Sequence, residues 1–207
     1  GRGDELTQVR TTCPYCGVGC QMELNVKNNR IVKVTTSRYD DDPPNRGSLC
    51  IKGRFGYDFV SHPDRLTMPL VRKNGKLAEV SWEETIDFVG EKLSTIKKEH
   101  GPDAIAGLAS ARCTNEENFL MQKVARAAGK TNNIDQCATT CHAPTVAGLA
   151  TSFGSGAMTN SIGEIKDVDT LFIIGSNPTD AHPIIGLEMK KALRKGAKVV
   201  VCDPRKT

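Results

Sequence analysis

Four cysteines constrain this chain more than any other feature: Cys13, Cys16 and Cys20 in the run Cys-Pro-Tyr-Cys-Gly-Val-Gly-Cys, and Cys50 in Gly-Ser-Leu-Cys-Ile-Lys-Gly. Thiolates are soft metal ligands. Three of them separated by two and then three residues must come from one tight loop, in which Gly17 and Gly19 are expected to take backbone angles closed to other residues. The fourth thiol closes the cage from far along the chain. A four-iron, four-sulfur cluster suits this arrangement, because its cube takes one cysteine per iron and its sulfides accept hydrogen bonds from the N–H groups of such a loop. Zinc is the competing reading, but structural zinc sites favour paired short knuckles, and this pattern has one triple and one single. Two disulfides are a weaker alternative. Four of the eight cysteines are grouped and the rest are scattered, a usage that points to a reducing cytoplasm.

With 207 residues and 38% hydrophobic content, the chain can bury a core and is expected to form one or two domains. Its 28 basic and 24 acidic residues leave a net charge of +4, and the two signs are interspersed. That pattern excludes a nucleic-acid-binding tail and a polybasic membrane patch, and favours a small anionic ligand. No apolar run approaches the length of a membrane span. The opening Gly-Arg-Gly-Asp-Glu-Leu-Thr-Gln has neither an apolar leader core nor a twin-arginine signal, although the chain does not begin with Met.

Along the chain, Gln21–Val26 and Ile31–Thr36 alternate apolar and polar residues around Lys-Asn-Asn-Arg, which predicts a hairpin with Asn28 and Asn29 in the left-handed region. Tyr39–Gly47 is a loop by its charge and proline content, and it delivers Cys50 back to the other thiols. A short helix is expected from Lys52 to Val60, followed by a linker at His62–Pro69. This places a cluster domain at 1–66 and a second domain at 67–207. Ser81 and Glu84 have capping-box spacing, and Trp82, Ile86, Val89, Leu93 and Ile96 mark one helical face that ends at Gly101-Pro102. Ala104–Ala109 reads as a buried strand, and Thr114-Asn-Glu-Glu opens a helix to about Ala128. The pattern returns as the strand Thr170–Ile174, a helix from about Pro183 to Lys195 and the strand Lys198–Cys202. The fold class is therefore α/β: a small β-rich N-terminal domain followed by an incomplete Rossmann-like parallel sheet with helices on both faces.

In such sheets ligands sit beyond the carboxyl ends of the strands, so Ser110–Asn115, Gly175–Asp180 and Asp203–Arg205 are the candidate ligand loops. Gly175 permits close backbone approach, Ser176 and Asn177 offer hydrogen bonds, and the following helix N-terminus suits a phosphate. Asp203 can accept from a ribose or a guanine edge. Gly154–Gly163 is glycine-rich but follows no clear strand, which makes it a weak phosphate loop. Cys141-His142 sets a soft ligand beside a proton carrier, although a cysteine so placed is more often a packing residue. Cys113, Cys137 and Cys202 are read as packing residues, and His62, His100 and His182 as surface or capping residues.

Taken together, Thr11–Cys20, Gly47–Gly56, Thr114–Glu117, Cys141–Leu149, Gly175–Pro178, Ala181-His-Pro and Asp203-Pro-Arg resemble the molybdopterin oxidoreductases that carry two pyranopterin guanine dinucleotides, and among them the formate dehydrogenase catalytic subunits. The resemblance covers essentially the whole chain. It implies that Cys13, Cys16, Cys20 and Cys50 hold a 4Fe-4S cluster, that Lys52 bridges cluster and pterin, that Cys141 ligates molybdenum or tungsten, and that His142 is the catalytic base. Cys141 stands where some relatives have selenocysteine. The implied cofactor-binding residues are Lys52, Arg112, Thr114, Asn115, Gly175, Ser176, Asn177, Asp180, His182, Asp203 and Arg205. The implied reaction is reversible oxidation of formate to carbon dioxide, with electrons leaving by way of the pterin, Lys52 and the cluster toward iron–sulfur subunits or domains, flavin/NAD or hydrogenase modules among them. A nitrate reductase and a non-catalytic electron-transfer subunit of the same fold are the alternatives. Family members continue for several hundred residues and supply a catalytic arginine with no matching position here, so the chain is expected to be an N-terminal piece of the subunit.

Overall fold

The computed structural model describes residues 6–36 and 43–207. Residues 1–5 and the first part of the expected loop, Tyr39–Asp42, lie outside the described residues. Backbone packing groups the chain into two compact units, one holding the residues up to Arg65 together with Met158–Thr207, the other Leu66–Ala157.

The first unit begins with strands β1 (Thr7–Thr12), β2 (Gln21–Lys27) and β3 (Arg30–Thr36), an antiparallel sheet with β2 in the middle. The β2–β3 hairpin forms where the alternation predicts it. Asn28 and Asn29 turn the chain at φ 50° and 57°, a conformation their short polar side chains tolerate. Strand β1 has no comparable signal in the sequence. Five of its six residues, Thr-Gln-Val-Arg-Thr-Thr, are exposed, so no apolar face marks it. The expected helix from Lys52 to Val60 is broken in two, α1 (Ile51–Phe55) and a 3-10 turn at Asp58–Ser61. Between them the Tyr15 hydroxyl donates to the Gly56 carbonyl. Val18, Met22 and Val34 pack with Cys13 and Cys20 into the core of this unit.

In the second unit, β4 (Leu70–Lys73) and β5 (Lys76–Glu79) form a hairpin around Asn74-Gly75, both at positive φ. Asn-Gly is a strong hairpin signal, and it lies just beyond the expected linker, in a stretch with no element expected from the sequence. Helix α2 (Trp82–His100) starts where Ser81 Oγ accepts from the Glu84 N–H at 3.1 Å. Strand β6 is confined to Gly107–Ala109, because Pro102–Ala104 form a 3-10 turn instead of extending it. Helix α3 (Asn115–Lys123) carries the complete Thr114–Glu117 capping box and runs into a π turn at Val124–Gly129. Strand β7 (Ile134–Gln136) lies parallel to β6 and leads into α4 (Ala138–Cys141) and α5 (Ala143–Phe153).

The chain then returns to the first unit with β8 (Thr170–Ile174), α6 (Pro178–Ala181), α7 (Pro183–Arg194) and β9 (Lys198–Cys202), the last parallel to β8. Ile184 of α7 joins the core around Cys13 and Cys20. The architecture is the expected α/β arrangement, and its parallel pairing appears as two separate pairs, β6–β7 and β8–β9. All five residues of β9 are exposed among the described residues. No helix among them is long and apolar enough to cross a membrane.

Candidate metal and cofactor site

The cysteine triple sits in the loop that joins β1 to β2. Thr12 pairs with Gln21 at the end of the ladder, and the Cys13 N–H donates to the Cys20 carbonyl at 2.8 Å, so these two cysteines close the base of the loop. Gly19 takes φ 71°, the left-handed conformation expected of it; Gly17 does not use that freedom. Cys50 arrives at the N-cap of α1, and that helix lies close enough to the loop that a β-carbon on Gly53 would stand 3.4 Å from Cys13 Sγ. Glycine at this position leaves the thiol room.

The four thiols feel one another. Burial pushes the Cys20 thiol up to about 12, reinforced by the charges that Cys13, Cys16 and Cys50 would carry. Cys13 is also raised, mainly by burial and then by Cys50 and Cys16, against the opposing pull of the Tyr15 N–H and of Lys52. Sulfurs that hold their protons this tightly and repel one another as thiolates favour a multivalent cationic centre that takes the protons' place. None of the four thiols is in a disulfide, and together they supply one ligand for each iron of a cube.

Lys52, two residues beyond Cys50, reaches in the other direction. Its Nζ donates to the Asp180 carbonyl at 3.4 Å, linking the cluster arm to the segment after β8. That segment and the one after β9 share the carboxyl edge of the parallel pair, where the Gly175 N–H donates to the Cys202 carbonyl at 2.9 Å. Gly175, at φ 60°, Ser176, Asn177, Asp180, His182, Asp203 and Arg205 are thus brought to one edge of one unit. Asn177 Nδ2 donates to Asp180 Oδ2 at 2.8 Å. Asp203 turns inward, its side chain only 3% exposed and its Oδ1 accepting from the Arg205 backbone N–H at 2.8 Å. The helix expected to greet a phosphate is preceded by the single turn of α6, and both carry Pro at the N-terminus, which removes one donor from each.

Arg112, Thr114 and Asn115 follow β6, and Cys141 and His142 follow β7, so these five lie beyond the carboxyl edge of the other parallel pair. The Thr114 hydroxyl is engaged in capping α3 and, with the Thr114 N–H, holds the Glu117 carboxyl below its usual range. Cys141 ends α4, and His142, at φ −150° and ψ 18°, breaks the chain between α4 and α5. Cys141 is exposed, as are Cys113, Cys137 and Cys202. The packing reading of the last three is thereby corrected: each sits at or just beyond the carboxyl end of a short strand, where no second layer covers it among the described residues. The glycine-rich stretch is accounted for locally, Gly154 as the left-handed cap of α5 and Ser161 as the capping residue of a 3-10 turn at Ile162–Asp167. The sequence reading also passed over Asn45, a fully buried side chain between the cysteine triple and Cys50. Its only sequence signal is its place in a proline-rich turn.

The family model for molybdopterin oxidoreductases matches residues 65–207, and that for the molybdopterin oxidoreductase Fe4S4 domain matches residues 6–62. The chain belongs to the molybdopterin oxidoreductase family. Its cofactors are accordingly a 4Fe-4S cluster and molybdopterin, in keeping with the thiol set described above. Among curated members, the alpha subunit of F420-dependent formate dehydrogenase 1 of Methanococcus maripaludis is 47% identical over 203 residues, 98% of this chain and 29% of that protein. Formate dehydrogenase H of Escherichia coli is 47% identical over 208 residues, 97% of this chain and 29% of that protein. The chain therefore spans less than a third of the length of these relatives. Acetylene hydratase from Pelobacter acetylenicus shares the fold, with a TM-score of 0.72 over 96% of this chain and 27% of its own, at 24% identity.

Proposed function

We propose that this chain is part of the catalytic subunit of a cytoplasmic, molybdenum- or tungsten-dependent formate dehydrogenase, which oxidises formate reversibly to carbon dioxide and passes the electrons out through the cluster. The observation that carries the reading is the reach of Lys52, which starts beside Cys50 and ends on the Asp180 carbonyl at the candidate dinucleotide edge. One side chain thus spans the two cofactor regions of the first unit. The formate dehydrogenase relatives, matched along nearly the whole chain, support the choice of substrate.

In this reading Cys13, Cys16, Cys20 and Cys50 hold the cluster. Gly175, Ser176, Asn177, Asp180, His182, Asp203 and Arg205 line one part of the bis-guanine-dinucleotide site, and Arg112, Thr114 and Asn115 line another. Cys141 ligates the molybdenum or tungsten, which supplies the acceptor for the electron pair of formate. His142 sits at a helix break directly beside that ligand and holds the proton released from the substrate. The Lys52 ammonium would donate to the pterin, and its positive charge would favour the reduced, more negative cluster. The partners are iron–sulfur electron-transfer subunits or domains.

The test is an assay of the full-length subunit with formate and with nitrate, combined with metal analysis. Formate oxidation with molybdenum or tungsten bound is the expected result. Turnover of nitrate alone, or iron without a second metal, would overturn it in favour of a nitrate reductase or an electron relay respectively.

A further inference from the structure

We infer that Asn45 is a positioning residue for the cluster, a clamp that ties the arm bearing Cys50 to the loop bearing Cys20 and thereby sets the cluster's retention and potential. This rests on the assignment of the four cysteines as cluster ligands. Asn45 is 2% exposed and is one of the two largest fully buried side chains among the described residues. Its amide makes a reciprocal pair with the backbone of Gln21, Oδ1 accepting from the Gln21 N–H at 2.9 Å and Nδ2 donating to the Gln21 carbonyl at 3.1 Å. Nδ2 also donates to the Ser48 carbonyl at 2.8 Å, while the Ser48 N–H donates to the Asn45 carbonyl at 2.7 Å.

Gln21 is the neighbour of Cys20, and Ser48 lies two residues before Cys50. A single buried amide therefore holds a fixed distance between ligands that are thirty residues apart in sequence. No other residue type offers one acceptor and two donors in this planar shape with so short a stem. The same bond decides where one amide near the cluster points, because the Gln21 N–H given to Asn45 is withheld from the sulfur of Cys20. Hydrogen bonds to sulfur and solvent exposure are two determinants of the potential of a cluster.

Replacing Asn45 by alanine removes all three side-chain bonds without adding charge. It frees the Gln21 N–H, admits water and loosens the Cys50 arm. Each of the first two effects favours the reduced, more negative cluster. Asn25 is the control. It is also buried, at 7% exposure, and it binds Gln8, the Lys33 carbonyl and Thr35 across the same sheet, away from the ligands.

The experiment compares Asn45→Ala and Asn25→Ala in the full-length, cluster-loaded subunit by the rate of iron loss to a chelator and by the cluster midpoint from redox titration of its electron paramagnetic resonance signal. Asn45→Ala is expected to lose iron at least tenfold faster than the parent, with a more positive midpoint, while Asn25→Ala stays near the parent in both. An unchanged rate and midpoint in Asn45→Ala overturns the proposal, and so do equal changes in Asn25→Ala, which would mark a general loss of stability. Should Asn45→Ala fail to fold, Asn45→Asp keeps the acceptor for Gln21 and loses the donors; iron loss no faster than in Asn25→Ala overturns the clamp. A parent subunit with no iron–sulfur signal would refute the ligand assignment instead.

Discussion

Cys20 and Cys141 are both candidate metal ligands near the ends of strands, yet their settings differ in almost every physical respect. Cys20 is 5% exposed, closes a hairpin loop against Cys13 and sits in a core built from its own sheet and Ile184. Cys141 stands exposed at the end of the four-residue helix α4 and next to a broken helix junction. The first site makes its environment from the pairing of β1 with β2 and from the core that Ile184 joins. The second is an exposed cysteine followed by a histidine at a helix junction, beyond the carboxyl edge of a parallel pair. The contrast teaches that a cluster site can be read as a folded object, whereas the Cys141–His142 pair is read from chemistry and position in the fold.

Breaking the first site should have the largest consequence. Cys16→Ser is expected to abolish the broad visible absorbance of the cluster and to bring iron down from about four per chain toward none. Iron still near four would mean that the thiols at positions 13, 20 and 50 suffice, and that the hairpin loop is not a four-ligand cage.

At the second site, Cys141→Ser in the full-length subunit should lower formate oxidation by orders of magnitude, because a serine oxygen is a harder ligand than a thiolate. Iron content should not change. Thermal stability should hardly move either, since substitutions at exposed positions stay within about 0.5 kcal/mol. A variant with near-parental activity would make Cys141 a bystander and dissolve the contrast.

His142→Gln keeps size and hydrogen bonding but cannot become a cation. A loss of about 10²–10⁴-fold in turnover is expected of a missing general base, together with loss of the acid limb of the pH–rate profile. An active variant with the parental profile would move the proton to another group and leave His142 to orient formate.

A smaller effect is expected at Lys52, which starts beside the first site and ends on the Asp180 carbonyl. Lys52→Met should slow cluster reduction by formate about tenfold, equivalent to about 1.4 kcal/mol in the barrier, with both metal contents unchanged. Rapid mixing that shows cluster reduction at the parental rate would remove Lys52 from the electron path.

The smallest effect concerns the iron-free protein. Cys13 and Cys20 are raised by burial, so the folded state holds their protons more tightly than the unfolded chain does. Their contribution to stability is full below the ordinary thiol range and is lost as pH rises from there toward about 12, the value for Cys20. Denaturant titrations of iron-free protein should therefore show stability falling above about pH 9, and the cluster-loaded protein should not show this fall. A flat profile for the iron-free form would mean that Cys13 and Cys20 are not buried in it.

The sequence by itself determined the elements whose signals are local. The Asn28-Asn29 turn, the caps at Ser81 and Thr114 and the strands Thr170–Ile174 and Lys198–Cys202 all formed where their residues called for them. Each of these depends on contacts within a few residues, or on an apolar run that has little choice but to extend. Strand β1 and the break in the helix after Cys50 were not legible. The first has no apolar face, and the second involves a hydroxyl from Tyr15, which is 41 residues away.

Only the tertiary structure decided which distant groups meet. It put Asn45 between Gln21 and Ser48, Lys52 against the Asp180 carbonyl, and Ile184 into the core around Cys13 and Cys20. It also buried the Asp203 carboxylate, which sequence alone offered outward to a ligand and which accepts locally from the Arg205 N–H. The physical reason is that a buried amide or carboxylate takes whatever partner the packed chain brings within 3 Å, since an unmade bond in the interior costs about 1–3 kcal/mol. Residue type says only that a partner is needed, and the closing of the chain chooses which one.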